Sequence, residues 1–259
     1  MNSEPARAHV IGMGEVGHRL ADALERAGVD VVRVTRHEGW DGVRTDPSSL
    51  RILCVREDDL APVLAALQDV PPERITAVQN GWIRPLLEPW PGCGRGLIWF
   101  MSKGAFFDEL RPSIVTGPAG AWLHDALSRG GLHVTFIPDP SRFAQLEADK
   151  MGFNCVVGLP LAVHGLTLGR YLDERPDEAQ TVFTEAVRVC SRALGVDPEP
   201  SAWTEFLHTV EPIRWVAASR AKALDYRNGA VVTIAHRLGL EAPANERLLA
   251  AAGWRPAMP

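Results

Sequence analysis

The sequence predicts an α/β protein in which a doubly wound, mostly parallel sheet is followed by an all-helical second half. Three observations carry this expectation. A glycine-patterned turn lies near the start, strand and helix patterns alternate as far as Ile137, and the strand signal disappears beyond Pro140.

The turn comes first. The apolar run Ala8-His9-Val10 leads into Ile11-Gly12-Met13-Gly14-Glu15-Val16-Gly17. Glycines at these spacings suit a strand–turn–helix that seats a pyrophosphate. Gly12 permits the sharp turn, Gly14 removes a side chain that would block the phosphates, and Gly17 lets the helix pack on the strand. Met13, Glu15 and Val16 complete the turn, where the helix N-terminus offers N–H groups and a positive dipole end to the anion. The amphipathic set Val16, Leu20, Ala23, Leu24 and Ala27, closed by Gly28, supports that helix. A glycine turn with a purely structural purpose is the competing reading. The favoured one is a Rossmann-type dinucleotide-binding domain over 1–138, with a helical substrate domain over 139–259.

The second strand, Asp30–Val34, ends in Thr35-Arg36-His37. A dinucleotide lacking a 2′-phosphate usually meets an acidic residue here. A hydroxyl and a guanidinium favour NADP(H), with Arg36 clamping the phosphate and stacking on adenine. Glu38 and a solvated surface arginine are the alternatives. Further strands are expected over 50–55, 74–78, 96–101, 113–117 and 133–137, and helices over 59–67 and 119–129. Pro138-Asp139-Pro140 is the expected boundary. Beyond it helices are expected over 143–162 (bent or ended by Pro160), 176–194, 201–208, 212–223, 226–238 and 244–252. Asp225 suits a helix N-cap and Asn245 a helix start. The cleft is expected between sheet and helices, at the carboxyl ends of the strands.

Composition narrows the function. A formal charge of −5 and the absence of any basic run argue against nucleic acid. No segment is long and apolar enough to span a bilayer, and the first residues lack a signal-peptide pattern. Four dispersed cysteines read as reduced packing residues of a cytoplasmic protein, and eight dispersed histidines imply no metal. The eight tryptophans read mainly as core or interface, with an aromatic substrate wall as the alternative.

Two patterns carry chemistry. Lys150 and Asn154 stand four apart, on one helical face. A lysine at the entrance of the apolar run 152–161 is partly desolvated on this reading, which lowers its pKa and eases proton donation to a carbonyl. Asn154 would orient lysine or substrate; an exposed lysine at a helix end is the competing reading. Gln79-Asn80-Gly81 ends a strand, where Asn80 can hold nicotinamide ribose or substrate, or simply form a turn.

The glycine turn, Arg36, Gln79-Asn80-Gly81, the Lys150/Asn154 helix, and the runs 224–229 and 243–248 (Leu-Asp-Tyr-Arg-Asn-Gly and Pro-Ala-Asn-Glu-Arg-Leu) occur in an order that spans nearly the whole chain. In this the chain resembles the ketopantoate reductases (2-dehydropantoate 2-reductases). The resemblance implies a helical domain like the C-terminal one of 6-phosphogluconate dehydrogenase, NADPH-dependent reduction of a branched 2-oxo acid, and a homodimer. It implies Lys150 as general acid, with Asn154 and Asn80 as contacts for substrate and cofactor.

The departures are specific. Arg56 stands where the family carries a lysine near the cofactor, Gly158 where it carries a second asparagine, and Ala223 where it carries an acid. The family's serine falls near Val210 or Glu211, which makes Glu211 a substrate candidate beside Arg214, His164 and Trp99. The stretch from Arg36 to Ile52 is short. Losing partners for buried polar substrate groups costs about 1–3 kcal/mol each, so a carbonyl or imine other than ketopantoate is the expected substrate. A 3-hydroxy acid dehydrogenase and a non-catalytic NADP-binding sensor are the other classes. The missing acid and serine favour the sensor, and Lys150 with Asn154 oppose it.

Overall fold

The computed structural model of the chain describes residue 5, residues 7–103 and residues 106–255. Two compact units divide it: Met1–Gln79 with Ile83–Pro140, and Asn80–Trp82 with Ser141–Pro259. The first is α/β and the second is helical.

In the first unit the strands are β1 (Arg7–Ile11), β2 (Asp30–Val34), β3 (Leu50–Leu53), β4 (Ile75–Ala77), β5 (Gly94–Leu97), β6 (Phe100–Lys103), β7 (Phe106–Glu109), β8 (Ser113–Thr116) and β9 (Val134–Phe136). The helices are α1 (Glu15–Arg26), α2 (Leu60–Ala66), α3 (Arg84–Leu87) and α4 (Gly120–Arg129). Seven strands form one sheet in the order β2-β1-β3-β4-β5-β8-β9, parallel except where β5 meets β8. The chain goes from β1 to β2 on one side and returns to β3 on the other, so the order in which strands are added reverses at β1. That reversal opens a crevice at the carboxyl ends of β1 and β3. Ala8, Val10, Leu50 and Ile52 face Leu20, Leu24, Leu123 and Leu127 of α1 and α4 in one core cluster.

The run expected as one strand over 96–101 is two. The chain leaves the sheet at Ile98, where the Trp99 N–H donates to Ser113 Oγ at 3.0 Å, and then enters the hairpin β6–β7. Unbroken apolar character hides such a bend, because periodicity carries no information about direction.

Arg51 organises the short stretch between β2 and β3. Its guanidinium, 1% exposed, donates to the carbonyls of Val43 (2.7 Å), Ser49 (2.6 Å) and Asp46 (2.6 Å). Three backbone acceptors that have no ladder partner there are satisfied by one fork-shaped donor. His9, fully buried on β1, has its Nδ1 3.1 Å from Ser49 Oγ.

The second unit contains α5 (Pro140–Val156), α6 (Leu159–His164), α7 (Leu168–Glu174), α8 (Pro176–Leu194), α9 (Ala202–Val210), α10 (Asn228–Leu238) and α11 (Pro243–Ala251). α8 follows local rules fully, with proline in its first turn and Gly195 left-handed (φ 68°) at its end. The expected helix over 143–162 breaks at Gly158 rather than at Pro160. Pro160 lies in the first turn of α6, where its missing N–H costs nothing. α5 is buried on most of its surface, and a Cβ on Gly152 would lie 2.7 Å from the Phe183 ring, so glycine allows α5 to approach α8.

No α-helix forms over 212–223, where a single 3-10 turn covers Glu211–Ile213. The segment instead runs beside the start of α7, where the Arg214 and Val216 carbonyls accept the Gly169 and Leu168 N–H groups, each at 2.7 Å. Those N–H groups of the first turn have no partner inside α7. Asp225 is not an N-cap: α10 begins after Arg227, and Asp225 Oδ1 accepts from Trp254 Nε1 at 2.8 Å.

Burial and the neighbouring Arg51 guanidinium lower the His9 pKa from its ordinary 6.5. As pH falls through 6.5 the unfolded chain takes up the proton first, so stability present above that pH is lost below it. One proton contributes at most about 1.4 kcal/mol per pH unit. Urea unfolding of His9→Gln is expected to lose less stability between pH 7.5 and 5.5 than the parent protein; an equal loss would show that folding does not lower the His9 pKa.

Candidate functional site

The first unit holds a cavity of about 440 Å³ at the carboxyl ends of β1 and β3, lined among others by Gly12, Gly14, Thr35, Arg36, Trp40 and Arg56. Its floor is the glycine turn, and the three glycines differ in role. Gly12 is left-handed (φ 102°), and a Cβ there would lie 2.6 Å from the Val55 nitrogen. A Cβ on Gly17 would lie 2.0 Å from the Gly12 carbonyl oxygen. Both are demanded by packing. A Cβ on Gly14 would meet nothing within 4 Å, so this glycine keeps open space before the first turn of α1. The side chains of Met13 and Val16 turn into the core and leave only their backbone at the turn. Glu15 is drawn aside: its Oε2 accepts from Ser102 Oγ at 2.9 Å, and Arg19 Nε donates to the same hydroxyl at 3.2 Å.

The cavity rim is charged. Arg36 and Arg56 are 79% and 74% exposed in their side chains, and Asp59 lies 3.8 Å from Arg36 Nη2 and 3.6 Å from Arg56 Nε. Exposed pairs at such distances are worth at most about 1 kcal/mol, so Asp59 holds neither guanidinium firmly. Thr35 Oγ1 accepts the N–H groups of His37 and Glu38, which closes the loop after β2. Trp40, whose Nε1 donates to the Thr35 carbonyl at 2.8 Å, supplies an aromatic wall. Nothing in the sequence marks Trp40 or Asp59 as cavity residues, since both are brought there by loop and helix packing. Cys54 also lines the cavity, but enclosure pushes its thiol up, away from reactivity.

The motif Gln79-Asn80-Gly81 is split between the units. Gln79 Nε2 donates to the Leu53 and Val55 carbonyls (2.9 and 3.1 Å), which stitches β3 to the end of β4. Asn80 belongs with the helices. Its carbonyl accepts from Asn154 Nδ2, and the Trp82 N–H donates to the Tyr226 carbonyl at 2.7 Å. Asn80 Oδ1 is buried without a hydrogen-bond partner, an acceptor waiting for a donor.

On α5, Lys150 is 4% and Asn154 5% exposed. Lys150 Nζ stands 4.5 Å from the centroid of the Phe153 ring, over its face. The alternative of an exposed lysine at a helix end is thereby overturned, because the residue lies in the middle of α5 on its buried surface. Glu147, one turn earlier, is also buried. Asn154 serves first to tether Asn80.

The remaining substrate candidates have local partners. Glu211 is exposed and lies 3.8 Å from Arg214, which grips both oxygens of Asp173 at 2.7 Å. His164 Nε2 lies 2.7 Å from Glu178 Oε1, and its ring stacks on Tyr171. Trp99 is buried, with the Arg111 guanidinium 4.8 Å from its ring centroid.

No family model and no curated protein matches the chain by sequence. Solved structures do match. A PanE/ApbA family ketopantoate reductase from Ralstonia eutropha aligns over 95% of this chain and 97% of its own, with TM-score 0.76 and 19% identity. The fold is that of the ketopantoate reductases. A dimeric ketopantoate reductase from Staphylococcus aureus aligns over 95% and 99%, with TM-score 0.75 and 16% identity. A D-mandelate dehydrogenase in complex with NADH aligns over 95% and 97%, with TM-score 0.72 and 17% identity. The ketopantoate-reductase fold is therefore present over nearly the full chain despite the shortened link between β2 and β3.

The glycines separate binding from packing. Gly14→Ala should leave the melting temperature within about 1 °C and weaken dinucleotide binding at least tenfold, whereas Gly17→Ala should lower the melting temperature by several degrees. Fluorescence titration and thermal melts check both. Unchanged binding in Gly14→Ala would mean that no phosphate approaches this turn.

Proposed function

We propose that the chain is an NADPH-dependent reductase of a small 2-oxo acid or a related carbonyl or imine compound, acting as a homodimer in the cytoplasm. The observation that carries this reading is Lys150, an ammonium buried on α5 one turn before Asn154. It occurs in a chain whose fold matches ketopantoate reductases from end to end. The dehydrogenase of similar fold has also been solved with anilino(oxo)acetate, a 2-oxo carboxylate.

The glycine turn suits a dinucleotide because Gly14 leaves room for the phosphates and α1 points its N-terminus at them. Arg36 and Arg56 would hold a 2′-phosphate at the rim, and Trp40 would face the adenine. When bound, the nicotinamide supplies a hydride to the substrate's carbonyl carbon. Lys150 Nζ gives a proton to the carbonyl oxygen as negative charge develops there, and the neutral amine is recharged from solvent. Asn154 fixes Asn80, whose free amide oxygen would accept a hydrogen bond from the carboxamide or from a substrate N–H or O–H. The four free cysteines take no part: burial pushes the Cys93 and Cys155 thiols up to about 12 and raises the other two as well.

NADPH oxidation is to be followed with panels of 2-oxo acids, ketones and cyclic imines. Lys150→Ala should lower kcat at least 100-fold with NADPH affinity unchanged, and NADPH should bind at least tenfold more tightly than NADH. Tight NADPH binding with no turnover of any compound would replace the reductase by a nucleotide sensor.

A further inference from the structure

We propose that Arg227 binds the carboxylate of the substrate and sets this chain's preference for 2-oxo acids over neutral carbonyls. The proposal rests on the reductase reading and names the group that recognises the anion.

The argument starts at Gly158. It follows Asn154 by four residues and Lys150 by eight, where the helical ladder of α5 has just ended with the Val157 N–H bonded to the Phe153 carbonyl. A Cβ at this position would lie 3.3 Å from the Asn154 carbonyl oxygen and 3.8 Å from Arg227 Nη1. The guanidinium of Arg227 therefore lies against the place where a side chain at position 158 would begin. Glycine leaves that place to it.

The backbone around Arg227 is tied on both sides. The Tyr226 carbonyl accepts the Trp82 N–H at 2.7 Å. Asn228, 1% exposed, donates through Nδ2 to the Cys155 carbonyl (3.2 Å) and to Asn245 Oδ1 (2.9 Å). Asn245 is in turn held by Glu185. The root of the arginine is thus set against the end of the helix that carries Lys150 and Asn154. A positioned root reduces the entropy lost when a ligand binds.

The chemistry of the group matches one class of ligand. A half-buried guanidinium presents a planar fork of donors that fits a carboxylate with two parallel hydrogen bonds. Its use at the end of the helix that carries Lys150 is therefore recognition. Asn80, tethered to the same face through Asn154, offers an acceptor instead, its buried Oδ1. The pair sorts a substrate by polarity, with the anion to Arg227 and an N–H or O–H to Asn80. Ala223 and Gly158 contribute no polar side chain, so hydroxylated substituents find little to bind there.

The experiment uses the full chain with NADPH present. Its binding probe is oxamate, a carboxylate that imitates a 2-oxo acid and is not reduced; 2-oxo acids and their methyl esters serve for turnover. Arg227→Ala should weaken oxamate binding about 30-fold in calorimetry, equivalent to about 2 kcal/mol. Arg227→Lys should recover part of that loss, with melting temperature and NADPH affinity at parent values. On 2-oxo acids the loss should appear in KM, with turnover of the esters unchanged. Should Arg227→Ala fail to fold, Arg227→Gln makes the same comparison with the length retained and the charge removed.

Unchanged oxamate binding in a folded variant, an equal loss on acids and esters, or no oxamate binding by the parent protein would each overturn the proposal. Oxamate binding that depends on Arg227 without turnover of any compound would uphold it and remove the reductase reading. Turnover of 2-oxo acids that survives Arg227→Ala intact would do the reverse.

Discussion

The helical unit depends on one buried carboxylate. Glu185, on α8, accepts the N–H groups of Ala244 and Asn245 at 3.0 Å each and the Asn245 amide at 2.9 Å. It caps the first turn of α11, which has no side-chain cap of its own because Ala242 stands at that position. Asn245 passes the constraint to Asn228 on α10, and Asn228 passes it to the Cys155 carbonyl on α5. Four helices are keyed by polar groups that have no water to replace their partners, where an unmet buried donor costs about 1–3 kcal/mol. Apolar packing alone would allow α10 to slide on α5. This chain of bonds does not.

That keying also bears on Gly158 and Arg227. Arg227 directly precedes Asn228, and Gly158 lies three residues after Cys155. The two positions are therefore fixed with respect to each other by the same Asn228–Cys155 bond. In the α/β unit a different device serves the shortened link. Buried Arg51 gathers the carbonyls of Val43, Asp46 and Ser49, and Thr35, Arg36 and Trp40 of the same link line the cavity.

Where local chemistry decides structure, the sequence was readable. β1, its turn and α1 follow from glycine spacing, and α8 from a proline at its start, an apolar stripe and a glycine after its end. Asp30–Val34 formed a strand with the expected bounds because β-branched residues and a flanking glycine leave few alternatives. The failures have a common cause. The bend between β5 and β6, the hairpin to β7 and the irregular segment after Ile213 are set by tertiary partners: Ser113 for Trp99, and the start of α7 for Arg214 and Val216. No window of neighbouring residues contains that information. In the candidate site, helical spacing placed Lys150 and Asn154 on one helix, but the fate of Asn80 was hidden because its partner stands 74 residues away. Arg227 escaped notice because in sequence it is one more arginine within an architectural run.

The balance of charge decides what such a site selects. A carboxylate facing the substrate would favour hydroxyl groups and repel an acid, whereas a guanidinium favours the acid and gains little from hydroxyls. This chain has alanine at position 223 and an arginine against the bare Cα of Gly158. On the proposed reading the two residues act in the same direction, since alanine does not repel an anion and the guanidinium attracts one. Lys150, buried on α5, is a second basic residue of the same helical unit. A site built this way gains most of its selectivity from the charge common to all 2-oxo acids and least from the substituent on the far carbon. If Arg227 holds the carboxylate as proposed, the arrangement favours breadth toward side chains with strictness toward the carboxylate.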